Sequence, residues 1–138
     1  MPSFRDFDLI PSLQSTLKKE GFVTPTEIQE RALPPLLNGG SVVGVAETGS
    51  GKTLAYALPV LQRLKQLEES GDAVSTPGHP RAIVLVPSSD LGEQVAKAFK
   101  VFTHETRLRV RSSLGGVAMA VARRNVASPF EVLLATPG

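Results

Sequence analysis

Lys52 and Thr53 directly follow Gly49, Ser50 and Gly51, and residues of these types at this spacing can bind a phosphate chain. Glycine lets the backbone turn tightly enough to aim successive N–H groups at one anion, and a helix that begins here adds its positive dipole end. Lys52 would reach the β- and γ-phosphates of a nucleoside triphosphate, while the Thr53 hydroxyl would bind Mg²⁺. The spacing therefore predicts a phosphate-binding P-loop.

The sequence around this pattern supports the same interpretation. An apolar run over 41–45 predicts a strand before the loop, and a helix-like run over 54–67 follows it. The complete loop at 46–53 consists of Ala46, Glu47, Thr48, Gly49, Ser50, Gly51, Lys52 and Thr53. Ala46 stands where the general template has its first glycine, so the match is to the variant Ala-x-Thr-Gly-x-Gly-Lys-Thr. The alternative is a Gly-rich turn that only joins a strand to a helix, and the Lys and Thr after Gly51 argue against it.

A second candidate site precedes the loop, in the segment 21–29, which reads Gly-Phe-Val-Thr-Pro-Thr-Glu-Ile-Gln. The amide of Gln29 can donate and accept hydrogen bonds at once, as contact with an adenine edge requires. Phe22 offers a flat face for stacking on a base. Taken singly, Phe22 is more typical of a core aromatic and Gln29 of a solvated helix residue. Their occurrence together just before a P-loop favours base binding.

At these residues the chain resembles the DEAD-box RNA helicase family, whose adenine-binding Q motif reads Gly-Phe-x-x-Pro-Thr-x-Ile-Gln. Phe4 matches the isolated aromatic that the family places ahead of this motif, so the resemblance implies a Q motif at 4–29. It also implies ATP and Mg²⁺ as cofactors, with Lys52 and Thr53 in catalytic roles. The implied adenine contacts come from Phe4, Phe22, Thr24 and Gln29.

Three later segments extend the resemblance to the family's RNA-binding motifs. Residues 87–94 correspond to Pro-Thr-Arg-Glu-Leu-Ala-x-Gln, 115–116 to paired glycines, and 136–138 to the start of Thr-Pro-Gly-Arg. Hydroxyls, backbone N–H groups and helix starts bind phosphate without reading sequence. The implied RNA-binding residues are Pro87, Ser88, Gly115, Gly116, Thr136, Pro137 and Gly138.

The segment 87–94 departs from the family pattern at two positions. Ser89 replaces the family arginine and Gly92 its alanine, which removes one cation from the RNA track and a helix-favouring residue from the helix that follows. Helix capping before Leu91 explains Ser88 and Ser89 as well as RNA contact does.

Composition narrows the function classes. The 138 residues are 41% hydrophobic and 20% charged, which suits one globular domain, and the net charge is only +2, so a nucleic-acid contact must be local. There is no cysteine, and His79 and His104 lack ligand-like neighbours, so a Cys- or His-based metal site is not expected. With no long apolar run and no apolar signal region, we expect a soluble, intracellular protein with no membrane partner.

The periodicity of apolar residues, together with Gly- and Pro-rich turn signals, predicts alternating helices and strands. Helices are predicted over 10–20, 27–37 and 54–67, with Pro59 expected to kink or end the third. A loop is predicted over 70–80, and a strand buried on both faces over 82–86. The next helix has a core stripe of Leu91, Val95, Phe99 and Phe102. Another helix is predicted over 117–126 and a strand over 131–135. Arg107, Arg109 and Arg111 would share one strand face, which is more often solvated than RNA-bound. The pattern predicts an α/β fold with a parallel sheet.

The resemblance implies a RecA-like P-loop fold, a parallel sheet flanked by helices and incomplete at its C-terminal end. Residues 1–138 would be part of the first RecA-like domain of an ATP-dependent RNA helicase. The family's Asp-Glu-Ala-Asp motif and its second RecA-like domain are expected beyond Gly138, so we expect 1–138 alone to be inactive. Two alternatives stay open: a nucleotide-binding module without catalysis, and another P-loop NTPase such as a kinase or DNA-repair ATPase.

A further expectation concerns the strand over 41–45. In the family its neighbours come from sequence after Gly138, and an apolar strand with unpaired N–H and C=O groups invites pairing with another chain. We therefore expect 1–138 to be marginally stable or to self-associate through this edge.

Overall fold

The computed structural model describes residues 2–116 and 118–138, and these form two compact units that divide between Arg63 and Leu64. In chain order the elements are a 3-10 helix at Phe4–Asp6, α1 at Pro11–Lys19, α2 at Glu27–Leu37, α3 at Lys52–Glu69, β1 at Ala82–Leu85, α4 at Ser89–Thr106, β2 at Val110–Ser113, α5 at Met119–Asn125 and β3 at Val132–Ala135. The predicted elements are thus recovered, apart from the strand over 41–45.

The first unit is helical, and its helices begin where the sequence predicts. Pro11 is among the first residues of α1, where its missing N–H costs nothing, and the apolar side of α1 buries Leu13 and Leu17. Gln62 is buried and ties α3 to the chain before α1, because its amide accepts from Ile10 N at 2.9 Å and donates to Asp8 O at 2.7 Å.

Of the two effects expected at Pro59, an end of the helix is wrong, since α3 runs from Lys52 to Glu69 as one helix. Proline removes one intrahelical hydrogen bond, which costs about 3 kcal/mol in an isolated helix. The residues on either side are among the most buried of the chain: Ala57, Leu58 and Leu61 are 0% exposed. Burial of this apolar face outweighs the lost hydrogen bond and keeps the helix continuous.

The strand predicted over 41–45 is absent from the sheet. Residues 41–47 have no regular secondary structure, and Val43 and Val45 are 94% and 91% exposed. Apolar residues favour a strand locally, but a strand exists only when a second segment pairs with it. Within the described residues no segment forms a ladder with 41–45.

The second unit carries a three-stranded parallel sheet in the order β1-β3-β2. β3 is central, with Val132 opposite both Ala82 of β1 and Val110 of β2. All three strands therefore end at the same edge of the sheet, where the segments after Leu85, Ser113 and Ala135 begin.

Only the central strand approaches the burial predicted for a parallel sheet. Val132 and Leu134 of β3 are fully buried, whereas Ile83 and Leu85 of β1 are 62% and 68% exposed. The expectation that β1 is buried on both faces is therefore wrong. Within the described residues β1 is an edge strand whose side chains alternate between half-buried and exposed, so only one of its faces is covered.

Helix α4 packs on β2 with the predicted stripe, except at its first position. Val95, Phe99 and Phe102 are buried, while Leu91 is 40% exposed. Gly92 is buried instead, and a Cβ added there would lie 2.6 Å from Leu114 Cδ2 and 3.1 Å from Val86 Cγ2. The glycine that weakens helix propensity thus makes room for Leu114.

The three alternating arginines do not form one strand face. β2 begins only at Val110, and Arg107 ends α4 in the left-handed conformation with φ 62°. Arg109 forms an ion pair with Glu131, which is 3% exposed. The Nε of Arg109 donates to Glu131 Oε1 at 3.0 Å. Arg109 N donates to the same oxygen at 2.6 Å. This arginine therefore has a structural partner.

The remaining predicted elements lie within a residue or two of their expected bounds. α5 occupies Met119–Asn125, and Val117, the first residue of the predicted helix, lies outside the described residues. In the described part of the chain, no helix has the length and apolar character needed to cross a bilayer.

Candidate functional site

The predicted P-loop is a tight turn at the start of α3. Gly49 and Gly51 have φ values of +83° and +88°, which only glycine adopts without strain. Lys52 is the first residue of α3, and its Nζ donates to the carbonyl of Ala46 at 2.6 Å. The lysine therefore closes the loop onto its own backbone and holds its charge at the loop.

Gln29 joins the predicted adenine segment to the P-loop. It is only 2% exposed, and its Nε2 donates to the carbonyl of Gly51 at 3.0 Å. Its Oε1 accepts from the backbone N–H of Thr26 at 2.9 Å, which caps the first turn of α2. A Cβ at Gly51 would lie 2.4 Å from Gln29 Nε2, so only glycine fits beside this amide. Gln29 is thus a buried linking residue, not the solvated helix residue of the alternative interpretation.

A cavity of about 370 Å³ opens beside the loop. Thr26, the N-cap of α2, and Ile28 of α2 line it on one side, and Ala46, Glu47 and Ser50 line it from the loop. Ser50 Oγ is buried and, among the described residues, has no hydrogen-bond partner. A buried hydroxyl without a partner costs about 1–3 kcal/mol, and a phosphate oxygen in this cavity would supply one. The loop therefore fits a phosphate group.

Thr53, the predicted Mg²⁺ ligand, is half-buried in the first turn of α3. Tyr56 lies next to it: burial raises the pKa of the Tyr56 hydroxyl, and a side-chain hydrogen bond with Thr53 lowers it by less. Tyr56 is not among the site residues predicted from the sequence. Its place one helical turn after Thr53 is the signal that could have found it.

The two predicted aromatic residues lie around one larger cavity of about 860 Å³. Phe4 is 2% exposed and packs its ring 6.2 Å from that of Phe7, whereas Phe22 is 42% exposed. The backbone carbonyl of Phe4 accepts from Gln14 Nε2 at 2.8 Å. Phe22 therefore has a face open for stacking, while the buried Phe4 shapes the cavity wall. Thr24 is exposed and lines neither cavity.

In the second unit, the predicted RNA-binding segments meet at the C-terminal edge of the sheet. Gly115 N–H donates to Thr136 Oγ1 at 2.8 Å, and the Gly115 carbonyl accepts from Ser89 Oγ at 2.5 Å. Gly115, Gly116, Pro137 and Gly138 are all exposed. Turns that follow three different strands thus form one exposed backbone surface.

The two serines at the start of α4 have separate local roles. Ser88 is the N-cap of α4 and accepts from Leu91 N at 3.3 Å, as the capping interpretation predicts. Ser89 binds the Gly115 turn, which joins the start of α4 to the end of β2. Where the family has an arginine, this chain therefore has a short serine side chain, and its hydroxyl binds the Gly115 carbonyl within the protein.

The sequence profile of the DEAD/DEAH box helicase family matches residues 26–138. The chain is 38% identical over 135 residues to the ATP-dependent RNA helicase ddx54 of Dictyostelium discoideum, covering 98% of this chain and 12% of that protein. It is 37% identical over 137 residues to the ATP-dependent rRNA helicase RRP3 of Lodderomyces elongisporus, covering 99% of this chain and 25% of that protein. The chain thus spans a quarter or less of these relatives.

Solved structures give the same result for the fold. A DEAD box protein from the hyperthermophile Methanococcus jannaschii superimposes with a TM-score of 0.82 at 27% identity, over all of this chain and 35% of that one. The RNA helicase Prp28 from Chaetomium thermophilum, bound to ADP, gives a TM-score of 0.82 at 30% identity, over all of this chain and 34% of that one.

The fold is therefore that of a DEAD-box RecA-like domain, an α/β fold with a parallel sheet flanked by helices. The chain belongs to the DEAD-box helicase family.

Proposed function

We propose that this chain is the ATP-binding part of the first RecA-like domain of an ATP-dependent RNA helicase. The observation that supports this most strongly is the hydrogen bond from Gln29 to the Gly51 carbonyl. It links the proposed adenine-binding segment, 21–29, directly to the P-loop at 46–53. Each polar atom of the Gln29 amide uses one hydrogen bond here and keeps the capacity for a second. A base that binds Gln29 would thereby influence the P-loop directly.

The P-loop residues would hold the triphosphate and its metal. Ala46, Glu47 and Ser50 line the cavity where phosphates would fit, and the buried Ser50 hydroxyl has no hydrogen-bond partner among the described residues. On binding, Lys52 would exchange the Ala46 carbonyl for phosphate oxygens, a stronger charge-assisted contact. Thr53 would bind Mg²⁺, which supplies charge neutralisation at the phosphates. Phe22 would stack on the adenine.

The exposed turns at the end of the sheet would bind the RNA backbone. Ser88, Gly115, Gly116 and Thr136 supply hydroxyls and backbone groups there, together with Pro87, Pro137 and Gly138. Contacts of this kind hold a phosphate-sugar chain without selecting its bases. A second RecA-like domain of the parent protein would complete both the ATP site and the RNA groove.

Nucleotide preference tests the adenine part of this proposal. We expect the chain to bind ATP more tightly than GTP, and Gln29→Ala to reduce that preference about tenfold or more, because a missing base hydrogen bond leaves buried groups unpaired. Titration calorimetry with both nucleotides measures the preference.

Two further variants control for indirect effects. Gln66→Ala removes an exposed glutamine outside the site and should leave the preference unchanged. Gln29→Glu preserves side-chain shape and the acceptor toward Thr26 while removing the donor. Equal affinity of the unaltered chain for ATP and GTP would refute the role of Gln29.

We also propose that a polypeptide of residues 1–138 self-associates through 41–45. Val43 and Val45 are almost fully exposed, and exposed apolar strand-forming segments pair with other chains. Light scattering over a concentration series should show association, with weak protection of the amides of 42–45 from exchange in the monomer.

Charge placed on this segment should prevent the association. Val43→Lys is expected to give a monomer, because a lysine on an edge opposes strand pairing. Met119→Lys alters another exposed apolar residue and should leave association intact. A monodisperse unaltered chain with strongly protected amides at 42–45 would contradict the proposal.

A further inference from the structure

Charge is unevenly distributed along this chain. Residues 97–124 carry seven Lys and Arg residues and one acidic residue, Glu105, whereas the rest carries eight basic and twelve acidic residues. The small net charge of +2 therefore conceals a strongly basic segment. This segment contains the second half of α4, all of β2 and all but the last residue of α5. Binding of a polyanion requires local positive charge of this kind.

Two adjoining cavities concentrate these cations on the second unit. The first, about 340 Å³, is lined by Lys97 and Lys100 together with Leu114. The second, about 370 Å³, is lined by Lys100, Arg107 and Arg111. Lys100 belongs to both cavities, so they form one path along α4 and β2. We call the surface formed by Lys97, Lys100, Arg107 and Arg111 the basic groove.

The charges of the basic groove are not neutralised by ion pairs within the described residues. In the part of the chain that the structure describes, Lys97, Lys100, Arg107 and Arg111 form no ion pair, whereas Arg109 is neutralised by Glu131. Arg111 Nη1 donates only to the adjacent Val110 carbonyl at 3.1 Å. Glu93 is the acidic residue that lines the groove, and it lies in the same cavity as Leu114. Four cations thus face one carboxylate.

Arg107 adds a backbone observation. It is the one non-glycine residue with positive φ among the described residues, at 62°, where glycine or asparagine is the usual choice. An arginine in this conformation costs of order 1 kcal/mol or more, and strain of this kind often accompanies a functional side chain. Its side chain lines the second cavity.

We propose that the basic groove binds the phosphate backbone of a nucleic-acid strand, continuing the path of the strand that the Gly115 turn would hold. The inference rests on the proposed RNA contact at that turn. Leu114 lines the groove and is the immediate neighbour of Gly115, so the two surfaces are continuous. Ammonium and guanidinium groups spaced along a groove fit repeated phosphates, and no base-reading group is required. The groove would increase affinity for longer strands without adding sequence preference.

Binding of oligonucleotides of two lengths tests this. We would measure anisotropy of labelled oligouridylates of about 6 and about 20 nucleotides with the whole chain, at several salt concentrations. Lys100→Gln/Arg107→Asn removes two cations, and asparagine tolerates the backbone conformation at 107. We expect the longer strand to lose about tenfold in affinity and its salt slope to fall by about 1.4, while the shorter strand and ATP bind as before.

A matched control separates a local contact from net charge. Arg63→Gln/Arg81→Gln removes the same number of cations outside the groove, and we expect the affinity of the longer strand to stay within about twofold. Circular dichroism confirms that each variant is folded.

Each other outcome has a definite meaning. If the groove variant binds the longer strand with unaltered affinity and salt slope, the groove is not a nucleic-acid contact, and the proposed RNA contact at Gly115 stands. If neither length binds the unaltered chain, both proposals fail for RNA. If polyglutamate displaces the longer strand at equal charge concentration from the unaltered chain but not from the groove variant, the groove selects acidic protein, and the proposal is wrong.

Discussion

We expect a polypeptide of residues 1–138 to hydrolyse no ATP above background, with or without single-stranded RNA. Catalysis of phosphoryl transfer depends on charge stabilisation and on positioning of the attacking water. The P-loop supplies Lys52 and Thr53 but no acidic element that could hold Mg²⁺ from the opposite side. An arginine that stabilises the transition state is worth about 10³–10⁵ in kcat, and in the proposed assembly it belongs to a second domain.

Phosphate release measured over hours, with and without oligouridylate, checks this expectation. Lys52→Ala provides the matched control, because it removes the ammonium group that the structure places at the Ala46 carbonyl. Nucleotide binding should still be detectable in the unaltered chain and be weakened in the variant. Robust turnover that disappears in Lys52→Ala would show that 1–138 contains a complete catalytic site.

Replacement of Glu131 with glutamine should lower the free energy of unfolding by about 2–3 kcal/mol at pH 7. The carboxylate is 3% exposed and accepts from the backbone and side chain of Arg109, so the neutral amide leaves that cation underpaired. The loss falls below the range for fully buried pairs because the Arg109 side chain is 40% exposed. Urea unfolding, followed by circular dichroism, measures the difference.

The same pair makes stability depend on pH. Burial raises the pKa of Glu131, but the hydrogen bonds and charge of Arg109 outweigh it, so its pKa lies below the ordinary 4.5. A carboxyl group whose pKa is lowered in the folded state contributes its full stabilisation above about pH 4.5. This contribution is lost as the pH falls through the pKa of Glu131 in the folded protein. The difference between the parent chain and Glu131→Gln should therefore shrink in acid.

Glu69→Gln is the matched control, since it alters an exposed carboxylate of the same unit that forms no ion pair among the described residues. We expect it to change the unfolding free energy by less than about 0.5 kcal/mol at any pH. A difference between the parent chain and Glu131→Gln that stays constant from pH 7 to below the folded pKa would contradict this account.

Local patterns were sufficient where the determinant is local. The P-loop turn follows from Gly49 and Gly51, whose positive φ values are a property of glycine itself. The start of α2 at Glu27 follows from Thr26 as its N-cap and from the capping contact of Thr26 with Gln29, three residues on. The family resemblance was likewise visible in the sequence, and the comparisons confirm the family.

Features that depend on distant partners could not be predicted in this way. Residues 41–45 have strand-forming side chains, yet no described segment pairs with them. Pro59 should break a helix, but the buried face of α3 keeps it intact. Gly92 favours disorder in an isolated helix, whereas in the fold it admits Leu114. In each case nonlocal packing overrides the local preference.

The sequence alone determined the chemistry that this protein can offer: a glycine loop with Lys52 and Thr53, and an amide at Gln29 that could read a base. Only the tertiary structure decided how those groups are used. It placed Gln29 against the Gly51 carbonyl, assigned Arg109 to Glu131, and left Lys100 and Arg107 to face a groove. The physical reason is that residue type fixes which interactions are possible, while the fold brings distant residues to within hydrogen-bonding distance and so selects among them.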